Sequence, residues 1–260
     1  MSRLLPDDGR VAIAVATTGT TPDACCAQAR AAVGAGADVI ELRADLLTAG
    51  PGSPCEAGPT GLADLAGELS AQSGDARVLV TVRTAAEGGG ARLDDGAYRT
   101  LVRSLAGSLG ALDDDARPAA LDVESARGWT AGLVAAAHEA GLEAVVSRHD
   151  TAATPGDSVM LEGLRAMAGA GADVAKLAVM PRSARDVARL LAMTAQASEE
   201  LGLPVVTMSM GALGAVSRVS GAVFGSALTF ATVDGGPSAP GQLPIEQVRA
   251  GLRLLSARLE

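Results

Sequence analysis

The chain of 260 residues is 48% hydrophobic and 2% aromatic and carries a formal net charge of -9, so it can bury one large core, most simply as a single domain over residues 1–260. The acidic balance and the scarcity of aromatic side chains exclude nucleic-acid partners, which need a basic surface or stacking platforms. No apolar run is long enough to span a membrane and no charged segment precedes an apolar one at the N-terminus, so we expect a soluble, cytoplasmic protein with no membrane partner.

In the first half of the chain, apolar runs of strand length alternate with stretches of helical periodicity. A Pro- and Gly-rich segment at 49–61 predicts a long surface loop rather than a domain boundary, because the alternation resumes directly after it. The predicted strands are 11–16, 38–43, 78–82 and 119–123, and the predicted helices are 21–32, 62–69 and 93–109.

The second half continues the same alternation and ends in an amphipathic helix. Its predicted strands are 143–147, 174–179, 204–208 and 226–230, and its predicted helices are 129–140, 156–170, 183–201, 213–219 and 245–259.

Eight strand and helix units in about 250 residues predict an α/β fold. The strands are apolar on both faces, as in a parallel sheet that is covered by helices. No G-x-G-x-x-G motif for dinucleotide binding follows the first strand. We therefore predict a (β/α)8 TIM barrel, with an open doubly wound sheet as the alternative.

Polar side chains cluster at the C-terminal ends of the predicted strands, where a barrel carries its active site. Each one alone is as well explained by a structural ion pair or a cap, but their common placement favours a site. The polar residues are Glu41, Arg43, Arg83, Glu87, Asp122, Glu124, Ser147, His149, Lys176 and, after the seventh strand, Arg218. Two methionines, Met208 and Met210, also follow the seventh strand.

Lys176 is the only lysine of the chain, and every other basic residue except the two histidines is arginine. A lysine in an apolar strand can attack a carbonyl to form a Schiff base, which arginine cannot do. His149 ends the neighbouring predicted strand and can transfer protons near neutral pH. The alternatives are an ordinary lysine in an Arg-rich composition and a core or capping histidine, while His138 is expected to be a helix residue without a role in the site.

No metal or other cofactor is expected. Asp122 and Glu124 could bind a hard cation, but no His, Asp and Glu set has convincing ligand spacing. The three cysteines are odd in number and lack zinc spacing, which predicts reduced thiols; they are Cys25, Cys26 and Cys55. The segment 210–218, MGALGAVSR, is similar to a phosphate-binding loop that opens a helix, and it supports a rival hypothesis, a Schiff-base aldolase of a sugar or keto-acid phosphate.

Taken together, seven ordered motifs resemble those of the type I 3-dehydroquinate dehydratases, over residues 11–247. They are ELRAD at 41–45, TVRTAAEGG at 81–89, SRHDTAATP at 147–155, KLAVMP at 176–181, MSMGALGAVSR at 208–218, VFGSALTF at 223–230 and SAPGQ at 238–242.

The resemblance implies a hydro-lyase of the shikimate pathway, which leads to aromatic amino acids. Its small-molecule substrate, 3-dehydroquinate, would lose water by syn elimination to give 3-dehydroshikimate through an imine on Lys176. His149 would act as base and then as acid, and Glu87 would orient it. Arg218 would bind the substrate carboxylate, and the family also suggests a homodimer.

The remaining implied contacts are hydroxyl-binding residues, a lid and apolar walls. The hydroxyl-binding set is Glu41, Arg43 and Arg83, the lid residues are Ser238 and Gln242, and the walls are Met208 and Phe230, for which a core role is an equal alternative.

The sequence departs from the family pattern in three places. Thr151 and Arg148 stand where aromatic residues are usual, so the wall beside the base is expected to be less apolar. One extra residue between Phe230 and Ser238 shifts the lid register, and the short segment before the first strand predicts a short or absent N-terminal hairpin. A non-catalytic ligand-binding barrel therefore stays as a third hypothesis, beside the dehydratase and the aldolase.

Overall fold

The computed structural model describes residues 3–47, 58–233, 236 and 238–256. Strands β1 to β9 are Ala12–Ala16, Val39–Arg43, Arg77–Thr81, Ala120–Glu124, Glu143–Asp150, Val174–Val179, Val205–Ser209, Leu228–Thr232 and Leu243–Pro244. Helices α1 to α9 are Pro22–Gly34, Gly58–Gln72, Asp95–Gly110, Thr130–Glu139, Asp157–Gly169, Ala184–Glu200, Gly211–Gly214, Ser217–Ser220 and Ile245–Ser256. Short 3-10 turns lie at Ala44–Leu46, Ala85–Glu87, Ser125–Arg127 and Gly221–Phe224.

The strands form one parallel sheet in which β1 to β7 pair in chain order and β8 pairs with β1. The sheet closes where β7 meets the segment before β8, through a bridge between Val205 and Ser226 and a 2.8 Å bond from Ala227 N–H to the Val205 carbonyl. The predicted TIM barrel is therefore confirmed, and the open sheet is excluded. The two-residue β9, which was not predicted, adds to the outer edge of β8.

Alternate residues of each strand point into the barrel, because successive side chains of a strand face opposite sides. The lower layer of the interior is apolar and includes Val39, Leu79, Val174 and Val206. Leu4 packs against this layer, and its N–H donates a 2.8 Å hydrogen bond to Glu143. Residues 3–11 form no hairpin, as expected, and Leu4 covers the bottom of the barrel instead.

The other faces of the strands pack against α1 to α6 and α9 in an outer core. Local side-chain hydrogen bonds fix where a helix begins. At the start of α6, Ser183 and Asp186 form a capping box, in which each side chain accepts the backbone N–H of the other residue. None of the helices in the described part of the chain is long and apolar enough to cross a membrane.

Several element boundaries differ from the predicted ones. Strand β5 extends to Asp150 rather than 147, because His149 pairs with Ala178 of β6. Helix α2 begins at Gly58, so the last part of the predicted loop 49–61 is helical, and residues 49–57 lie outside the described residues. The helix predicted at 213–219 is two single turns, α7 and α8. The last three residues of the predicted closing helix, 257–259, also lie outside the described residues.

Candidate active site

A pocket of about 100 Å³ opens at the C-terminal ends of the strands. Each site residue implied by the resemblance lines it: Glu41, Arg43, Arg83, Glu87, His149, Lys176, Met208, Arg218, Phe230, Ser238 and Gln242. Thr151 and Met210, which the sequence placed beside the base and after the seventh strand, also line the pocket. The lining residues that sequence reasoning did not place in the site are Gly88, Ala178, Ala239 and Pro240.

Strand register brings the lysine and the histidine together. Lys176 of β6 is opposite Ser147 of β5, and His149 lies two residues further along the same face of β5. Because side chains alternate, both point into the barrel, with the imidazole nearer the mouth. An amine and an imidazole therefore face one small volume from neighbouring strands.

The Lys176 ammonium is held by two carboxylates. Its Nζ lies 3.2 Å from Glu41 Oε1 and 3.3 Å from Asp122 Oδ2, and the Phe230 ring centroid is 4.7 Å away. The residue is only 4% exposed, which excludes an ordinary surface lysine. A buried charge needs such partners, and they fix the position of the amine.

His149 is a neutral imidazole with a fixed orientation. Burial, assisted by the Arg83 and Lys176 charges, lowers the pKa of His149 well below its usual value. Its Nδ1 is 3.0 Å from Glu87 Oε2, which also accepts the backbone N–H of His149 at 2.8 Å. A carboxylate there favours the tautomer with the proton on Nδ1, so Nε2 keeps the lone pair of a base.

Glu87 is held in place by the glycine-rich turn that follows it. Gly88 has a φ of +84°, a left-handed conformation that favours glycine. At Gly89 a Cβ would lie 2.1 Å from the Arg83 carbonyl oxygen, so only glycine fits at position 89. Burial and the nearby Glu124 charge raise the pKa of Glu87 to about 7, although Arg83 and the His149 N–H oppose them. The carboxyl beside the imidazole thus titrates near neutral pH.

Arg83 organises the floor of the pocket. Its guanidinium donates 3.0 Å hydrogen bonds to Asp122, Glu124 and Ser147. Burial opposes ionisation of Asp122, but Arg83 and Lys176 lower its pKa, so this carboxyl stays charged. Asp122 and Glu124, the two acids considered as cation ligands, therefore bind Arg83 instead. The described residues contain no cluster of three or more His, Cys, Asp or Glu suited to a metal.

A second layer under Arg83 was missed by sequence reasoning. Thr84 donates two hydrogen bonds to the Glu124 carboxylate, and the Tyr98 hydroxyl accepts the Glu124 N–H at 2.8 Å. Thr81 donates to Glu41 at 2.9 Å. Strand alternation could have found Thr81, which lies two residues before Arg83, but no local pattern links Tyr98 to Glu124.

Arg218 is a buried cation without a carboxylate partner in the part of the chain that the structure describes. It is 2% exposed, and its Nη2 donates a 3.0 Å hydrogen bond to the Pro240 carbonyl. Its Nε and Nη1 have no partner among the described residues, and burial lowers the pKa of Arg218 to about 10. It remains charged at neutral pH, so an anion in the pocket would pair with it.

The segment 238–242 covers the pocket from the side of β8. The Ser238 N–H donates to the Gln242 amide oxygen at 2.8 Å, and the Gln242 amide nitrogen donates to the Ser238 hydroxyl at 3.0 Å. Residues 234, 235 and 237 lie outside the described residues. The structure therefore does not test the expected extra residue between Phe230 and Ser238.

The first backbone N–H of α7 is already occupied by another group of the protein. The Gly211 N–H, which would have to face a phosphate, donates to the Pro240 carbonyl at 3.0 Å. This contact disfavours the aldolase hypothesis, which requires phosphate at 211–218.

Comparisons with known proteins point to one family. The family model described as type I 3-dehydroquinase matches residues 13–258. The 3-dehydroquinate dehydratase of Lactiplantibacillus plantarum is 41% identical over 245 residues, which cover 94% of this chain and 92% of the relative.

Solved structures agree with this relationship. The 3-dehydroquinate dehydratase of Geobacillus kaustophilus superposes with a TM-score of 0.84 at 34% identity, covering 95% of this chain and 92% of the other. The type I enzyme of Clostridium difficile, solved with covalently modified comenic acid, gives 0.83 at 30% identity and covers 96% and 94% of the two chains.

Proposed function

The chain belongs to the type I 3-dehydroquinase family, and we propose that it dehydrates 3-dehydroquinate to 3-dehydroshikimate through a Schiff base on Lys176. The observation that carries the proposal is the placement of the only lysine, buried at the pocket floor, beside a neutral histidine on the next strand. The step belongs to the shikimate pathway.

The first step forms the imine. Lys176 gives up a proton, its Nζ attacks the ring ketone, and loss of water leaves a protonated C=N bond. Glu41 and Asp122 hold the amine in place for this attack. The iminium withdraws electrons from the ring, which acidifies the neighbouring C–H bond and makes an added cofactor unnecessary for this step.

The second step moves one proton by way of His149. The Nε2 lone pair removes the acidified proton, and the electron pair flows toward the iminium nitrogen. The imidazolium then returns the proton to the departing hydroxyl on the same face, so water leaves by syn elimination. Hydrolysis of the conjugated imine releases the product and restores Lys176. Glu87 stabilises the transient imidazolium.

Substrate binding uses the rest of the lining. Arg218 pairs with the carboxylate through its free N–H groups, and Glu41, Arg43 and Arg83 bind ring hydroxyls. Ser238 and Gln242 exclude water from above. The side walls are Met208 and Phe230, with Thr151 as a polar position beside the base.

The test of this function is a direct assay. Purified protein mixed with 3-dehydroquinate should produce the ultraviolet absorbance of the conjugated enone. An aldolase would instead cleave a carbon–carbon bond of a phosphorylated substrate, and a binding barrel would retain 3-dehydroquinate unchanged. Absence of enone from folded protein would contradict the proposal.

Glu87→Gln should change the pH dependence of the reaction. The wild-type kcat/KM should fall as the pH drops through about 7, because Glu87 then gains a proton and no longer supports the imidazolium. The variant should lack this limb and have a plateau at least about tenfold lower. A pH profile that keeps the limb near 7 in the variant would assign it to another group.

The same variant should be more stable at alkaline pH. Because the folded pKa of Glu87 is raised, folding favours the protonated carboxyl, and this contribution is lost as the pH rises from 4.5 through 7. An amide avoids the buried charge, so thermal unfolding at pH 8 should show a gain of up to about 3 kcal/mol, with little gain at pH 4.

We also propose a homodimer and a cytoplasmic location. Four exposed apolar side chains lie on or between the elements from α7 to α9, where α8 packs on α9; they are Leu213, Val216, Val223 and Leu254. Exposed apolar side chains on neighbouring elements support an association surface. Among the described residues Cys25 and Cys26 are free thiols, which supports a reducing compartment.

Sedimentation tests the dimer. The wild-type protein should sediment as a dimer, and Val216→Glu should sediment as a monomer because a charge would be buried at the contact. The matched control is Val159→Glu, at an exposed apolar position on α5. A monomeric wild-type protein, or dissociation by the control alone, would contradict the proposed surface.

A further inference from the structure

One carbonyl oxygen joins the lid segment to both the scaffold and the proposed carboxylate site. Pro240 O accepts the Gly211 N–H at 3.0 Å and the Arg218 Nη2 at 3.0 Å. Gly211 begins α7, and Arg218 lies in α8 on the same side of the pocket. The position of this carbonyl therefore decides where the segment 238–242 sits and what Arg218 contacts.

Two glycines permit this approach. Gly241 has a φ of +79°, and a Cβ there would lie 2.2 Å from the Gly211 carbonyl oxygen and 2.7 Å from its carbon. Gly211 has a φ of +70°, so both partners adopt the left-handed conformation that glycine tolerates. Backbone lies directly on backbone at this point, and a side chain on Gly241 would keep Pro240 away from Arg218.

The seated lid leaves Arg218 in an unfavourable state until an anion arrives. The guanidinium is buried, it has one carbonyl partner, and two of its nitrogens are unpaired among the described residues. Burying an incompletely paired charge costs free energy. An anion bound to Arg218 removes that cost, so it favours the seated lid, and by linkage the seated lid strengthens anion binding.

We propose that Gly211, Pro240 and Gly241 form a latch that couples seating of the lid to occupation of Arg218 by the substrate carboxylate. The inference rests on the proposed function, because 3-dehydroquinate supplies the carboxylate. Gly241 is a positioning residue: it touches no substrate and acts by placing the Pro240 carbonyl on Arg218.

A pair of glycine variants tests the latch. Gly241→Ala introduces the clash, whereas Gly236→Ala is the matched control in the same loop, with a φ of +88° and no described atom within 4 Å of its Cβ. We expect kcat/KM to fall at least about tenfold in Gly241→Ala, within the roughly 5- to 150-fold range of such couplings, and less than about threefold in Gly236→Ala. Equal effects of the two variants would overturn the latch.

A double variant tests whether the latch acts through Arg218. Arg218→Lys keeps the charge but removes the planar fork of donors. In that background Gly241→Ala should cost less than about threefold, because the partner of Pro240 is already changed. If the kcat/KM loss of the double variant equalled the product of the losses of Arg218→Lys and Gly241→Ala, the coupling would be overturned.

The wild-type protein provides a test that does not depend on how any variant folds. Hydrogen exchange of the lid amides should slow with 3-dehydroshikimate and should be unchanged with its methyl ester, which lacks the charge. Equal protection by the ester would overturn the latch. Failure of the wild-type enzyme to form enone is a separate result, which would contradict the proposed function instead.

Discussion

Lys176→Ala is expected to lower the rate of enone formation on the order of 10⁵-fold or more, the scale observed when a covalent nucleophile is removed. The physical reason is that no other side chain can supply a primary amine, because the chain contains no second lysine. Without the imine the ring ketone withdraws too few electrons to acidify the neighbouring C–H bond. Steady-state enone absorbance measures the loss.

The control for this prediction is Lys176→Arg. Alanine also removes the charge that compensates Glu41 and Asp122, so a loss of activity could reflect disruption of the pocket. Arginine keeps a cation beside both carboxylates but does not form an imine. Both variants should therefore be inactive while remaining folded by circular dichroism, and substantial turnover in either one would contradict the covalent mechanism.

His149→Ala is expected to form the imine but to turn over at least about 10²-fold more slowly, the low end for loss of a general base. The imidazole is the neutral group beside Lys176, and no other described side chain on β5 or β6 offers a base of this kind in the pocket. Single-turnover experiments should show substrate bound to Lys176 accumulating ahead of the slow proton transfer.

His138→Ala is the matched control for the histidine prediction. His138 pairs with Asp173 at 2.8 Å on the outside of the barrel, so its loss should leave turnover within about twofold of wild type. If His149→Ala retained near wild-type turnover, another group would have to serve as the base.

Much of the fold and the composition of the pocket could be predicted from the sequence, for a physical reason. Parallel strands buried on both faces are continuous apolar runs, and a barrel brings their C-terminal ends together, so polar residues at those ends meet in space. Lys176 and His149 were placed in this way. The family assignment is confirmed by the comparisons, whereas the chemical roles of the residues stay proposals.

What could not be predicted depends on contacts between distant segments. The Tyr98 hydroxyl reaches Glu124 from a helix, and Leu4 closes the bottom of the barrel beside Glu143. The contact between Pro240 and Arg218 depends on backbone geometry at two glycines. Periodicity reports which face of an element is buried, but it does not report which distant group lies against that face.

The most direct test of the account is borohydride reduction in the presence of 3-dehydroquinate, followed by intact mass and peptide mapping. The mechanism predicts one added ligand, located on Lys176 and absent from Lys176→Arg. Because the chain has a single lysine, the N-terminal amine is the only competing primary amine, and peptide mapping separates the two. An unchanged mass, or an adduct on the N-terminus alone, would contradict the Schiff-base mechanism.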